Sequence, residues 1–545
     1  MRGYLLACPR VSEAVDSNVQ WETIMRTMIQ WGLATAVAGG IFLATARAAD
    51  EAKPATAKKA DGAACVACHQ KQSPALVKEW QRSRHGEMGV DCLDCHTARP
   101  GEVDAWQHEG ALISTLVTPK DCGECHEKET KEFGVSHHAK AGEILASLDN
   151  VLAEKVAGLP GNVADAVNGC WQCHGTIVKF QRDAQGQVKK AANGRPLIDP
   201  TTWPNSGMGR LNPDGSKGSC HACHSRHAFE AKLARSPENC GKCHMGPDHP
   251  QIEIYNESKH GIAFYANRDK MALDKEEWVL GKDYSAAPTC ATCHISSYST
   301  PEGKVVGNSH DVGERISWTL RPVISTKLNL VTYEDGFKED LPDTKPVPKV
   351  GDTVPTNEKV VENDKLVTKV VPRKVKVVTT WEQRRNAMKG ACVNCHAGSF
   401  VDGFYKQYDD LVTLYNDKFA KPAQALMTEL EKDGVLNPKA PFEHEVQWIF
   451  YELWHHEGRR ARHGASMMGP DYTHWHGMYE VGKHFYTEFL PAVVAAAGHK
   501  SPEMKTKYEQ KVAAMLTAEE HRWQKGLSPA EAEALRQTYK DRYDQ

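Results

Sequence analysis

The sequence predicts a mainly α fold with few short β segments and a core that ordinary apolar side chains cannot fill alone. Three observations predict it. The last third of the chain reads as long helices. One stretch in the middle alternates like β-structure. Most of the rest is divided by a recurring Cys-x-x-Cys-His pattern, with only short helical and loop pieces between copies. The chain has 545 residues, 40% of them apolar and 25% charged, ordinary for a globular protein and unlike a disordered one. Lys and Arg (67) balance Asp and Glu (70), so there is no basic field for nucleic acid.

From the N-terminus, residues 32–45 (GLATAVAGGIFLAT) form an apolar run too short to span a bilayer comfortably. Arg26 precedes it, and Ala46-Arg47-Ala48 offers small residues for cleavage. Residues 1–48 are therefore expected to be an export signal, cut after Ala48 or one residue later. The stretch before Met25 is unusual for a signal, so Met25 or Met28 is the expected start, which would leave Cys8 outside the protein. No later apolar run reaches 18 residues, and no integral membrane segment is expected in the mature chain.

Eight Cys-x-x-Cys-His motifs use 16 of the 17 cysteines. They are Cys65/Cys68/His69, Cys92/Cys95/His96, Cys122/Cys125/His126, Cys170/Cys173/His174, Cys220/Cys223/His224, Cys240/Cys243/His244, Cys290/Cys293/His294 and Cys392/Cys395/His396. Zinc sites also use paired Cys-x-x-Cys, but they do not require His after every second Cys. Haem attachment does: two thiols three residues apart add to the vinyl groups of one haem, and the adjacent His becomes the proximal iron ligand. The expected cofactors are eight covalently attached haem c groups. So many cofactors leave too few residues for a conventional core around each. The haems are expected to pack on one another, and the chain to be a multihaem cytochrome c with a haem-packed core.

Low-spin haems usually take a second His. Ser-x-His recurs before a small residue, giving His85, His138, His227 and His260 as distal candidates. His310, His463 and one of His474 and His476 lie in similar Gly-flanked contexts. Seven distal ligands for eight haems would leave one iron open to substrate. His108, His499 and His521 read as surface or propionate-contacting residues.

The expected organisation is a seven-haem region over 49–294, a haem-free insertion or arm over 295–380, and the eighth haem site with C-terminal helices over 381–545. The insertion carries alternating Val/Thr/Lys runs and many prolines, which read as hairpin or extended loop. Residues 404–434 and 442–463 show apolar residues at helical spacing, and 478–543 is rich in Ala, Glu, Lys and Leu.

Eight such motifs, an export signal and a helical C-terminal third resemble the octahaem hydroxylamine oxidoreductase family, which includes hydroxylamine dehydrogenases, hydrazine dehydrogenases and nitrite-reducing relatives. No motif reads Cys-x-x-Cys-Lys, the mark of the catalytic haem in pentahaem nitrite reductases and octahaem tetrathionate reductases. The resemblance implies hydroxylamine oxidation at one five-coordinate haem, an Asp–His pair over that haem, and a homotrimer. Asp248-His249 matches the pair, and its spacing from His224 puts the catalytic haem at Cys220/Cys223. Tyr333 is the candidate for a pocket tyrosine from the middle region. Tyr472 and Tyr479 are candidates for a tyrosine that cross-links to the catalytic haem of a neighbouring subunit. Electrons would leave for a small c-type cytochrome or a quinone-linked partner. Nitrite or hydroxylamine reduction, hydrazine oxidation and a purely electron-conducting role are the alternatives.

Overall fold

The computed structural model describes residues 62–143, 147–159, 169–362 and 364–543. The expected export signal lies outside them. The fold is mainly α. Among the described residues, no helix is long and apolar enough to cross a membrane.

Up to residue 294 the chain is built from short helices, each started by a specific cap. Asp91 caps Cys92–His96 and Thr289 caps Cys290–His294, each through a reciprocal capping box. Thr118, followed by Pro119, does the same for Pro119–Cys122. A hairpin of β1 (Ala105–His108) and β2 (Ala111–Ser114) interrupts this series. A smaller one pairs β3 (Tyr298–Ser299) with β4 (Val305–Val306).

The Ser-x-His segments prove to be a structural device. Ser83 caps Arg84–Glu87 and Ser258 caps Lys259–Ala266. Each hydroxyl donates to a carbonyl three residues back (Trp80, Tyr255; both 2.7 Å) and accepts the N–H of a glycine three residues on. The glycine is needed because a Cβ on Gly86 or Gly261 would collide with that same carbonyl. Ser136 repeats the two bonds with Phe133 and Ala139. The result is a fixed bend that presents His85, His138 and His260 from the first turn after the cap.

The haem-free region folds into a five-stranded antiparallel sheet. Its strands are β5 (Trp318–Thr319), β6 (Thr326–Tyr333), β7 (Lys338–Pro342), β8 (Thr353–Glu362) and β9 (Lys365–Thr379), in the order β5-β6-β9-β8 with β7 also on β6. The β8–β9 hairpin pairs ten residues in register, from Thr353 opposite Lys374 to Glu362 opposite Lys365. Alternation of Val with Lys and Thr makes it a ribbon with two solvated faces.

Beyond Thr380 the chain is helical. Helices Gly398–Tyr415, Lys421–Lys432, Glu445–Glu452, Gly458–Met467, Leu490–Lys500 and Pro502–Met515 carry the largest apolar cluster, centred on Tyr415, Leu430, Phe485, Phe489 and Tyr508. Four π-helical turns widen these helices, among them Leu453–Glu457 and His474–Tyr479. Such turns recur at functional sites because they displace side chains from the regular helical rows.

Candidate functional site

Among the described residues no disulfide joins the sixteen motif cysteines. They meet across motifs instead. Cys65 bonds Cys92, Cys122 bonds Cys220, Cys173 bonds Cys243 and Cys240 bonds Cys290. Cys95 lies within electrostatic reach of Cys122, Cys223 of Cys240, and Cys293 of Cys392. These contacts link all eight motifs into one connected set.

The motif histidines are oriented for coordination. His96 Nδ1 donates to Ser114 O at 2.9 Å and His294 Nδ1 to Val312 O at 3.3 Å. Such bonds fix the ring and leave Nε2 for a metal. Imidazole–metal bonds are about 2.0–2.1 Å long, so two axial imidazoles on one iron have ring centres roughly 6 Å apart. His85 and His126 lie 6.1 Å apart, His138 and His244 6.1 Å, and His260 and His396 6.0 Å. His227 faces His96 and His310 faces His224 closely enough for each pair to disfavour protonation. Burial and the His244 charge push His138 down to about 3, so it presents a neutral ring. This donor set fits haem.

Four features depart from the sequence reading. A haem-packed core would enclose every attachment thiol, yet Cys68, Cys125 and Cys395 are exposed, while the other thirteen are partly covered. The reason is local. Helix Gly62–Gln72 buries only Gly62, and Cys68 meets Gln72 Nε2 at 3.5 Å one turn on. Cys125 sits in the turn between Pro119–Cys122 and Glu127–Val135, and Cys395 just past the end of Trp381–Cys392. Attachment needs only the vinyl edge of the macrocycle, so exposure is compatible with it, but these three thiols lie at the rim of the set and not in a core.

His108 stands 6.2 Å from His69 and is a distal candidate, not a surface residue; the turn between β1 and β2 brings it there. His521 is buried and accepts a 2.8 Å hydrogen bond from the Tyr486 hydroxyl, a packing role. His474 packs on Trp475, while His476 is half-exposed between Asp471 and Glu480. Neither meets a motif histidine in the contacts of the described residues.

Asp248 and His249 do form a pair. His249 Nδ1 donates to Asp248 Oδ1 at 2.5 Å, and Arg459 donates to Asp248 Oδ2 at 3.2 Å. Burial opposes ionisation of Asp248, but the His249 bond and charge, His455 and Arg459 hold it at about 2. Burial lowers the proton affinity of His249, and the Asp248 bond and charge overcome this, so the imidazole sits above its ordinary value. The pair is not placed against His224, whose nearest charged neighbour is His310. His249 instead acts on His174, and its ring centre lies 6.2 Å from that of His244. The spacing argument failed because the chain between His224 and Asp248 passes through another motif and turns across to Cys170/Cys173.

Tyr333 is also elsewhere. It is buried at the end of β6, its hydroxyl donates to Glu339 at 3.0 Å, and it packs on Phe337. Tyr472 is partly buried near Glu253 and Glu257; Tyr479 is exposed beside Trp475. The tyrosine near Asp248 is Tyr451, within its electrostatic reach. Its sequence context, FYELWHHEG, carried a signal in the adjacent histidines that went unused.

The family described as seven times multi-haem cytochrome CxxCH matches residues 212–341, and cytochrome c554 and c-prime matches 121–194. The chain is a multihaem c-type cytochrome that binds haem covalently. Within that class it is of the hydroxylamine-oxidoreductase-like kind. It is 28% identical over 255 residues, 42% of its length, to a probable nitrite reductase-hydroxylamine oxidoreductase fusion protein of Kuenenia stuttgartiensis. That match spans a quarter (25%) of the relative. Its fold resembles a hypothetical multiheme protein (TM-score 0.62, 23% identity, 83% of this chain and 96% of that one). It also resembles a reducing HAO-like protein complex of Kuenenia stuttgartiensis (TM-score 0.51, 19% identity, 83% and 87%).

Proposed function

We propose that the chain is an exported, periplasmic octahaem oxidoreductase that oxidises hydroxylamine, to nitric oxide or nitrite, at the haem attached to Cys170 and Cys173. The observation that carries this reading is the Asp248–His249 pair acting on His174. The other seven haems would take two histidines each. When bound, the haem at His174 supplies an iron with one face open to a small nitrogen compound and a path for electrons.

The chain's residues supply proton handling and position. His249 takes protons from substrate, its affinity raised by Asp248. Asp248 fixes the ring and stabilises its charged form. Arg459 anchors the far carboxylate oxygen and keeps Asp248 ionised. The cysteine contact from Cys173 to Cys243 sets the first onward electron step toward the haem at His244. A small c-type cytochrome or a quinone-linked protein receives the electrons, and three copies assemble. Tyr472 or Tyr479 of a neighbouring copy would form a covalent link to the catalytic haem; the exposure of Tyr479 suits a contact between copies.

Reduction of nitrite or hydroxylamine on the same scaffold is favoured by one observation, the likeness to a reducing HAO-like complex. Hydrazine oxidation needs the same residues. Two measurements test the proposal. Replacing His249 with Ala should slow hydroxylamine turnover with all eight haems still attached; unchanged turnover would remove it from the mechanism. An optical spectrum of the dithionite-reduced protein, with denaturing mass spectrometry, reads direction. A haem joining two chains supports oxidation, and chains that separate cleanly support reduction.

A further inference from the structure

A second aspartate–histidine pair stands behind the first. The short helix Leu148–Val151, capped by Ser147, carries Asp149. The π-helical turn Leu453–Glu457 carries His455. His455 Nε2 lies 2.7 Å from Asp149 Oδ1. The Tyr451 hydroxyl donates to the same oxygen, and its ring stacks on His455 at 4.4 Å and 20°. His455 is 3% exposed, and its Nδ1 is buried without a hydrogen-bond partner among the described residues. The Asp149 side chain is 48% exposed, so this group runs from the interior to solvent.

The two pairs share a field. Asp248 is stabilised by His455 as well as by His249 and Arg459. Asp149 is stabilised by His455, Tyr451 and Arg459. The titratable and charged groups around His455 are therefore Asp149, Tyr451 and His456, with Asp248 and Arg459 across the site. Arg459 stays charged and cannot relay a proton. Its role is to hold two carboxylates near one another. Histidine can carry a proton in on one nitrogen and out on the other.

We infer that Asp149, His455 and Tyr451 form the proton path between the Asp248–His249 pair and solvent. The inference rests on the proposed redox function at His174 but not on its direction. In oxidation, a proton taken by His249 passes from Nδ1 to Asp248. His455 receives it at Nδ1 and releases its Nε2 proton to Asp149, which gives it to water. In reduction each transfer runs backwards. Tyr451 fixes the Asp149 oxygen and the plane of the His455 ring, so it is a positioning residue.

The test is protein-film voltammetry of the holoprotein and its His455→Gln and Asp149→Asn variants, with hydroxylamine and with nitrite, in light and heavy water. In either variant the limiting catalytic current should fall about ten-fold. KM should change less than two-fold, and the solvent isotope effect should rise. Added imidazole should restore part of the current in His455→Gln. Asp149→Asn, on a half-exposed side chain, guards against a folding failure at the buried position. Wild-type current and isotope effect in Asp149→Asn, with eight haems attached, would overturn the inference. So would a loss of current shared equally by KM, with a normal isotope effect. Absence of current from the unaltered protein with both substrates would instead overturn the proposed function.

Discussion

Replacing Asp248 with Asn would test the pair at its most sensitive point. The substitution keeps the shape of the side chain and removes its charge. Asp248 is held at about 2 against an ordinary 3.8. At about 1.36 kcal/mol per pH unit, that difference corresponds to about 2 kcal/mol of interaction with the ionised carboxylate, net of burial. The side chain is 22% exposed, so little of this is screened. A depressed carboxylate contributes stability above pH 3.8 and loses it as pH falls through 2. The raised His249 contributes below 6.5 and loses its share as pH rises through its folded value. The pair is therefore strongest between about pH 4 and 6.5. In the variant, burial and Arg459 act on His249 unopposed, and its proton affinity falls below the ordinary value. The assays are turnover against pH and denaturant unfolding at pH 5.5. The His249 limb should move to lower pH, kcat should fall more than KM changes, and stability should drop by about 2 kcal/mol. An unmoved pH limb with normal haem content would refute the reasoning.

Other substitutions test other parts of the structure. His108→Ala should leave eight haems attached and add one high-spin signal in electron spin resonance, because His69 would lose its partner across 6.2 Å; an unchanged spectrum would return His108 to the surface class. Ser258→Ala should cost about 1 kcal/mol through loss of the cap, and Gly261→Ala at least about 2 kcal/mol because its Cβ meets the Tyr255 carbonyl; thermal unfolding that ranks them the other way would contradict the bend. Arg384 is buried and donates to Gly313 O, Leu328 O and Asp340, so Arg384→Met should cost about 3–5 kcal/mol by stranding a buried carboxylate, read by denaturant unfolding. Tyr333→Phe should leave turnover unchanged, since its hydroxyl serves Glu339 within the sheet; a ten-fold loss would place it at the reaction.

Much of this was legible because the relevant signals are local. A thiol spacing, a Ser-x-His-Gly bend and a Val/Lys alternation are each complete within a few residues, so motifs, distal candidates and the β-region follow from sequence. The β8–β9 hairpin shows the limit. Its strands are legible, but their insertion beside β6, with the bulge at Thr332/Tyr333, depends on pairing between segments some forty residues apart. The exposure of Cys68 and Cys125 shows it too: the motif spacing names the thiols but says nothing of what covers them. The same limit moved the Asp–His pair. Asp248 and His249 are close to His244 in sequence, yet they act on His174 because Arg459, over two hundred residues away, anchors Asp248. His108 escaped notice for the opposite reason: it lacks the serine cap, and a β-turn places it instead.

The distribution of apolar surface explains why this chain needs its cofactors as structure. The large apolar clusters lie in the C-terminal helices and around Tyr255–Tyr298, with only a small one formed by Leu116, Val178 and Phe180. Large apolar side chains stay exposed in particular places. Met88 (77%) lies just after His85, Met245 (51%) follows His244, Ile262 (60%) follows His260, and Phe400 (58%) stacks on His396. Solitary exposed apolar residues need no explanation, but these four flank iron-ligand candidates. They form the walls against which a flat apolar macrocycle would pack, so the contacts that hold a haem also complete the core. This also explains the exacting caps and glycine bends of the short segments. Where neighbouring helices do not pack into a core, each ligand must be aimed by its own few residues.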